Sequence, residues 1–122
     1  MAKLSRDKGK RGELEFAHFL TDHGYQAHRG QQYHGGPGSP DVVCNDLPFH
    51  IEVKRSERLS LYPALNQAIS EAGPGQVPMV AHRQNKKDWV CILKAADLLR
   101  LTQSGPLRTE QAGADYHPET GR

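Results

Sequence analysis

Two carboxylates and an ammonium stand at a spacing suited to chemistry on a phosphate ester. Pro40-Asp41 is followed, after ten residues, by Glu52-Val53-Lys54. The run Phe49-His50-Ile51-Glu52-Val53-Lys54 alternates, so in a strand Phe49, Ile51 and Val53 take one face while His50, Glu52 and Lys54 take the other. Asp41-Val42-Val43-Cys44 reads as the preceding strand and Asn45-Asp46-Leu47-Pro48 as the turn between them. Such a hairpin gathers Asp41, Glu52 and Lys54 at one end of an otherwise apolar sheet. That set is what Mg²⁺-assisted cleavage of a phosphodiester requires.

The residue types follow from the metal. Mg²⁺ prefers oxygen ligands and is held by one or two carboxylates together with substrate phosphate oxygens. It polarises phosphoryl oxygens and acidifies a coordinated water. Lys54, on the same face as Glu52, is placed to orient that water or to offset charge building on the transition state. Two close carboxylates repel, so without metal one of them holds a proton more readily and metal affinity falls at acid pH. The bland alternative is a surface strand carrying a solvated Glu/Lys pair. The preceding Pro-Asp, the gap and the apolar alternate face weigh against it.

Pro40-Asp41 and Glu52-Val53-Lys54 together resemble the PD-(D/E)xK nuclease signature. Lys8-Gly9-Lys10-Arg11-Gly12-Glu13-Leu14-Glu15 resembles the first helix of archaeal-type Holliday junction resolvases and related phage and bacterial nucleases. The resemblance covers about residues 8–100. It implies an α/β, restriction-endonuclease-like fold with a mixed β-sheet flanked by helices. It further implies Glu13 as the first-helix carboxylate, Asp41 and Glu52 as central metal ligands, and Lys54 as the catalytic lysine. The cofactor implied is Mg²⁺, with Mn²⁺ as a substitute. The residues support Glu13 separately, since Glu13, Ala17 and Leu20 share a stripe in a helix starting near Gly9. A carboxylate tethered beside a packed face is costly unless a cation lies near it. Glu15 is the competing assignment, and a first-turn Glu favoured by the helix dipole is the structural one.

The remaining elements serve to position this set. A basic arm over residues 1–8 leads into helix one, which ends near His23-Gly24. Residues 25–29 form a first strand, and the Gly-rich stretch 31–39 a loop. After the hairpin and a charged link over 55–60, a second helix spans 63–72, with Pro63 in its first turn and Gly73-Pro74-Gly75 stopping it. Strands at 77–81 and 89–93 flank a basic turn, and a helix over 94–101 follows. The expected order is α-β-β-β-α-β-β-α, with Leu65, Ala68 and Ile69 turning the second helix's core face inward. Residues 1–103 read as one nuclease domain, and the polar, aperiodic stretch 104–122 as a disordered tail.

With 122 residues and sparse aromatics, the core rests on Leu, Val, Ile and Ala. No apolar run approaches a membrane span, and residues 1–6 lack a signal-peptide core, so no membrane partner is expected. Cys44 and Cys91 fall inside strands, form no CxxC pair, and are expected to be buried, reduced thiols of a cytoplasmic protein. Seven histidines invite a zinc site, yet no His/Cys set has its spacing, so no zinc is expected.

Net charge is only +2, but the basic residues cluster. Lys8, Lys10, Arg11, Arg55, Arg58, Lys86 and Lys87 are the candidate phosphate contacts, against the alternative of a solvated surface. Ser39, before the Pro-Asp pair, and Gln67, on the second helix, are possible accessories; a solvated Gln67 is the simpler reading. Tyr33 is a weak candidate for stacking on an unpaired base, and His50 carries no assigned role. The resulting expectation is an Mg²⁺-dependent endonuclease on DNA, favouring four-way junctions. Symmetric cutting of two strands implies a homodimer. A structure-nonspecific or repair/restriction-type nuclease, and a non-catalytic DNA-binding module of the same fold, remain the alternatives.

Overall fold

The computed structural model describes residues 2–30 and 39–103, with side chains from Gly9 onward in the first stretch. Its elements run α1 (Ala2–Asp22), β1 (His28–Arg29), β2 (Val42–Val43), β3 (Phe49–Arg55), α2 (Leu61–Glu71), β4 (Val77–Arg83), β5 (Val90–Ile92) and α3 (Ala95–Gln103). The order is the one expected. The strands form one mixed sheet in the order β1-β2-β3-β4-β5, antiparallel throughout except for β3 and β4. That parallel pair runs in register from Phe49 opposite Val77 to Arg55 opposite Arg83. Parallel neighbours need a crossover, and α2 supplies it.

The alternation of β3 sets up two packed layers. Ile51 and Val53 face α1, where Phe16, Ala17 and Leu20 pack on them together with Val42, Met79 and Ala81. The Phe16 ring lies against Trp89 with centroids 4.8 Å apart. Truncating so enclosed a ring to alanine costs about 3–5 kcal/mol. On the other face Ala64, Leu65 and Ala68 of α2 cover Val80, with Leu59 and Ile92 at the margin. A strand covered on both faces ordinarily reads as a continuous apolar run. Here β3 departs from that rule, because His50 and Glu52 are as fully buried as Ile51.

Two glycines let backbones meet near the hairpin. A Cβ on Gly30 would stand 2.0 Å from the Pro40 carbonyl oxygen. Its N–H donates to the Asp41 carbonyl at 2.8 Å, tying the chain after β1 to the start of β2. A Cβ on Gly12 would stand 2.6 Å from Arg55 Cβ, so α1 approaches the end of β3 closely only with glycine there.

Several boundaries differ from expectation. α1 begins at Ala2, so the basic stretch expected as an arm is helical, and the helix does not wait for Gly9. Lys and Arg are good helix formers, and a single Gly in a long helix is a tolerable cost. The first two strands shrink to His28–Arg29 and Val42–Val43. Ile69 is exposed, because the buried stripe of α2 is Ala64, Leu65 and Ala68. Cys44 is buried as expected, whereas Cys91 is exposed. β5 is an edge strand of the sheet, and periodicity alone does not distinguish an edge from a centre. Loop residue Tyr33, the Lys8 side chain and the stretch 104–122 lie outside the described residues.

Candidate active site

Asp41 stands where β2 ends against β3. Its N–H donates to the Ile51 carbonyl at 2.9 Å, and its Oδ2 accepts the Val53 N–H at 2.8 Å. The carboxylate therefore takes a ladder donor that the two-residue β2 leaves over. This fixes it beside Glu52, whose neighbour in sequence is that same Val53. From the α1 side Glu13 reaches the same end of the hairpin and accepts a 2.7 Å hydrogen bond from Arg29 Nε.

The electrostatics show that these carboxyls share a site. Glu52 is wholly buried, and its carboxyl is pushed up to about 9, first by burial and then by the charges of Asp41 and Glu71. Glu13 is also raised; burial is the main cause, Arg29 opposes it, and the Asp41 charge adds to it. His50, buried beside Glu52, is lowered by burial, against the pull of the Glu71 and Asp41 carboxylates. The protonated form of Glu52 is thus favoured; its Oε2 lies 2.7 Å from His50 Nε2, and its carboxyl also hydrogen-bonds those of Glu71 and Asp41. Nδ1 of the same ring has no hydrogen-bond partner.

Lys54 emerges from beneath α2 on the face of His50 and Glu52. Its Nζ donates to Gln67 Oε1 at 3.1 Å, so Gln67 is not merely a solvated helix residue. The two side chains line an open groove of about 280 Å³ with Arg58, Ser56 and Ser60. Ser39 is half-buried at the chain's approach to Pro40.

The structure brings the carboxyls of Glu13 and Glu52 to that of Asp41, while Lys54, two residues along β3 from Glu52, directs its Nζ to Gln67. Glu15, the competing assignment, goes elsewhere: its carboxylate takes hydrogen bonds from Arg55 Nε at 2.8 Å and from Arg83. Arg55, a candidate phosphate contact, is therefore also held by the fold while lining an open groove with Arg11. Its guanidinium is half-buried, bound to Glu15, and donates to the Arg83 carbonyl at 3.3 Å. Lys10, Arg11, Arg58, Lys86 and Lys87 are exposed. Arg11 flanks a second groove of about 500 Å³, lined also by His18 and Asn85.

Three residues of the site escaped the sequence reading. Arg29 is the cation that Glu13 needed. His50 was placed on the correct face without a role. Glu71, the last residue of α2, lies against His50 and Glu52. The signal for it was present, since Gln67 and Glu71 are four apart and share a helix stripe.

The oxygen-rich set fits a hard dication. A buried carboxyl pushed up to about 9 must release its proton to bind a metal, and a bound cation offsets both the burial and the neighbouring charges that raised it. Among the described residues no lysine or arginine lies within ion-pair distance of Glu52 or Glu71.

No protein-family model matches the sequence, and no curated protein matches it. The fold is nevertheless similar to a solved structure, that of Hjc, a Holliday junction resolvase from the archaeal hyperthermophile Archaeoglobus fulgidus. The two superpose with a TM-score of 0.55 and 27% identity, over 68% of this chain and 73% of that one. The resemblance to archaeal resolvases read from the motifs is thereby shown, and with it the restriction-endonuclease-like α/β class.

Proposed function

We propose that this chain is a metal-dependent endonuclease of the resolvase type, cutting branched DNA. Supporting this reading is one arrangement: Glu13 and Glu52 converge on Asp41, with Lys54 two residues from Glu52 on the same strand, on a fold like that of an archaeal Holliday junction resolvase. Asp41 and Glu52 would hold Mg²⁺, or Mn²⁺ in its place, with Glu13 completing the oxygen set. When bound, the metal supplies Lewis-acid polarisation of the scissile phosphate and acidification of a water.

The chain's own residues do the rest. Asp41 is oriented by the Val53 N–H, which fixes its carboxylate beside those of Glu13 and Glu52. Glu52 gives up its proton as the site fills, which ties activity to pH. Lys54, steered by Gln67 toward the groove, offsets charge on the phosphoryl oxygens and orients the attacking water. Arg58 in the same groove, with Lys86 and Lys87 on the β4–β5 turn, offers exposed cations for the flanking phosphates. Cutting two strands symmetrically requires two such sites, and hence a homodimer.

The test is cleavage of a labelled four-way junction beside matched linear duplex and single strand, with Mg²⁺ and with EDTA. Paired symmetric nicks in the junction alone, lost with EDTA and in Asp41→Ala, are expected. Equal cutting of all three substrates would keep the nuclease and discard the junction. Tight binding without cutting under any metal would replace the enzyme with a binding module.

A further inference from the structure

On the α2 face of β3, Glu52 stands in a second cluster whose other members, His50 and Glu71, the nuclease chemistry leaves unused. His50 and Glu52 are two apart on one strand and so project to the same side. Glu71 comes down on them from the end of α2. His50 Nε2 is 2.7 Å from Glu52 Oε2 and 3.9 Å from Glu71 Oε1, and one ligand atom from each residue lies within 4.8 Å of the others. That spacing suits a single ion at metal–ligand distances near 2.1 Å, after the His50–Glu52 contact opens slightly.

Two further observations point to a cation there. The imidazole is wholly buried, directs Nε2 into the cluster, and leaves Nδ1 with no hydrogen-bond partner. A buried histidine kept for packing normally satisfies both nitrogens, whereas a ligand histidine donates its far N–H to an oxygen acceptor. Gln76 is the nearby side chain that interacts with the ring as a hydrogen-bond partner, short of a well-formed bond to Nδ1, and is placed to become that acceptor. Glu71 also sits at the C-terminus of α2, whose last turn has no basic residue. The helix dipole is negative there, so a carboxylate at that end needs a positive neighbour.

We propose that His50, Glu52 and Glu71 form a binding site for a first-row transition-metal dication, distinct from the Asp41 side and sharing Glu52 with it. One imidazole nitrogen with two carboxylates favours Mn²⁺, Fe²⁺ or Zn²⁺ over Mg²⁺, which prefers an all-oxygen shell. Glu71 remains partly exposed and marks the way in. Occupancy of this site removes charge repulsion around Glu52 and holds that carboxylate in place for the neighbouring site. The inference does not rest on the nuclease reading, since it concerns metal binding by the chain alone.

The test uses the full chain with Mn²⁺ as probe, followed by electron paramagnetic resonance with pulsed detection of nitrogen coupling. Wild type should show Mn²⁺ with a coupled nitrogen that excess Mg²⁺ does not displace. His50→Asn should abolish the nitrogen signal, and Glu71→Gln should weaken binding at the site by about tenfold or more. Asp41→Asn should leave the nitrogen signal in place. Because Glu71 is partly exposed, Glu71→Gln remains informative if His50→Asn fails to fold, with thermal unfolding as the control. Absence of nitrogen coupling, or unchanged affinity in Glu71→Gln, would overturn the site. Loss of all Mn²⁺ binding in Asp41→Asn alone would do the same, by assigning the metal to the Asp41 side. Failure to cleave DNA would leave these results untouched.

Discussion

Carboxylates meet β3 from both of its faces, and the protein partners them in opposite ways. Glu15 meets two guanidiniums, those of Arg55 and Arg83, and Arg55 is further tied to the Arg83 carbonyl. Charge there is closed within the chain. At Glu52 and Glu71 the only basic partner within ion-pair distance among the described residues is a buried imidazole. Sixteen lysines and arginines were available, so the difference is one of placement rather than supply. A cluster closed by arginine holds α1 to the sheet. The cluster without arginine is the one at which we place an external cation.

The largest effect should come from substituting equivalent carboxylates on the two sides. Glu52→Gln or Asp41→Asn should lower junction cleavage on the order of 10³-fold while DNA binding persists in a gel-shift assay. Glu15→Gln should leave cleavage within about twofold and lower stability by about 1–2 kcal/mol in urea unfolding, the scale of a half-exposed charged hydrogen bond. If Glu15→Gln abolished cleavage in a folded protein, the division into a structural and a functional cluster would collapse.

A second contrast is in pH. The Glu52 carboxyl is at about 9 in the folded chain against an ordinary 4.5, and Glu13 is raised as well. The folded state therefore binds more protons than the unfolded one through that window. Stability of the metal-free protein should fall as pH rises from about 5 to about 9, the reverse of the usual carboxylate case. Saturating Mg²⁺ or Mn²⁺ should flatten the slope, because a bound dication takes the proton's place. Glu52→Gln should remove most of it. Differential scanning calorimetry across that range decides the matter, and a Tm that climbs with pH in the absence of metal would contradict the assignment.

Lys54→Ala belongs next in size. Turnover should drop by roughly 10²-fold, since the ammonium acts on charge developed in the transition state. Mn²⁺ affinity should be preserved, because the lysine is no ligand. A loss confined to metal affinity would move Lys54 out of the catalytic step.

Much of this site was legible in the sequence because it is local. The Pro40–Lys54 hairpin declares itself through period-two alternation and a turn, and Glu13 through its place on the Ala17/Leu20 stripe. The parts that escaped are those set by long-range closure. Arg55 is captured by Glu15 across 40 positions, which no local pattern records. Glu71 reaches Glu52 only because β3 and β4 pair in parallel, forcing α2 to cross over the His50/Glu52 face. Cys91 is exposed because β5 is an edge strand, and strand order is not written in periodicity. The element order was recoverable, and so was the α/β class; which helix end meets which strand end was not.

Gln67 sharpens the comparison at its weakest contact. Its Oε1 accepts from Lys54 at 3.1 Å in an exposed setting, so the bond itself adds little to stability. Its effect is on orientation: without it the lysine's four-carbon stem samples several rotamers, and only some direct Nζ into the groove shared with Arg58. Gln67→Ala should therefore reduce kcat several-fold, about what restricting one long side chain contributes, with KM and Tm nearly unchanged. Gln67→Glu should distinguish orientation from charge. A carboxylate keeps the acceptor and holds Nζ more tightly, yet adds negative charge beside substrate phosphate, so KM should rise while the lysine stays in place. Equal kcat in wild type and Gln67→Ala would mean that Lys54 is positioned by the substrate itself.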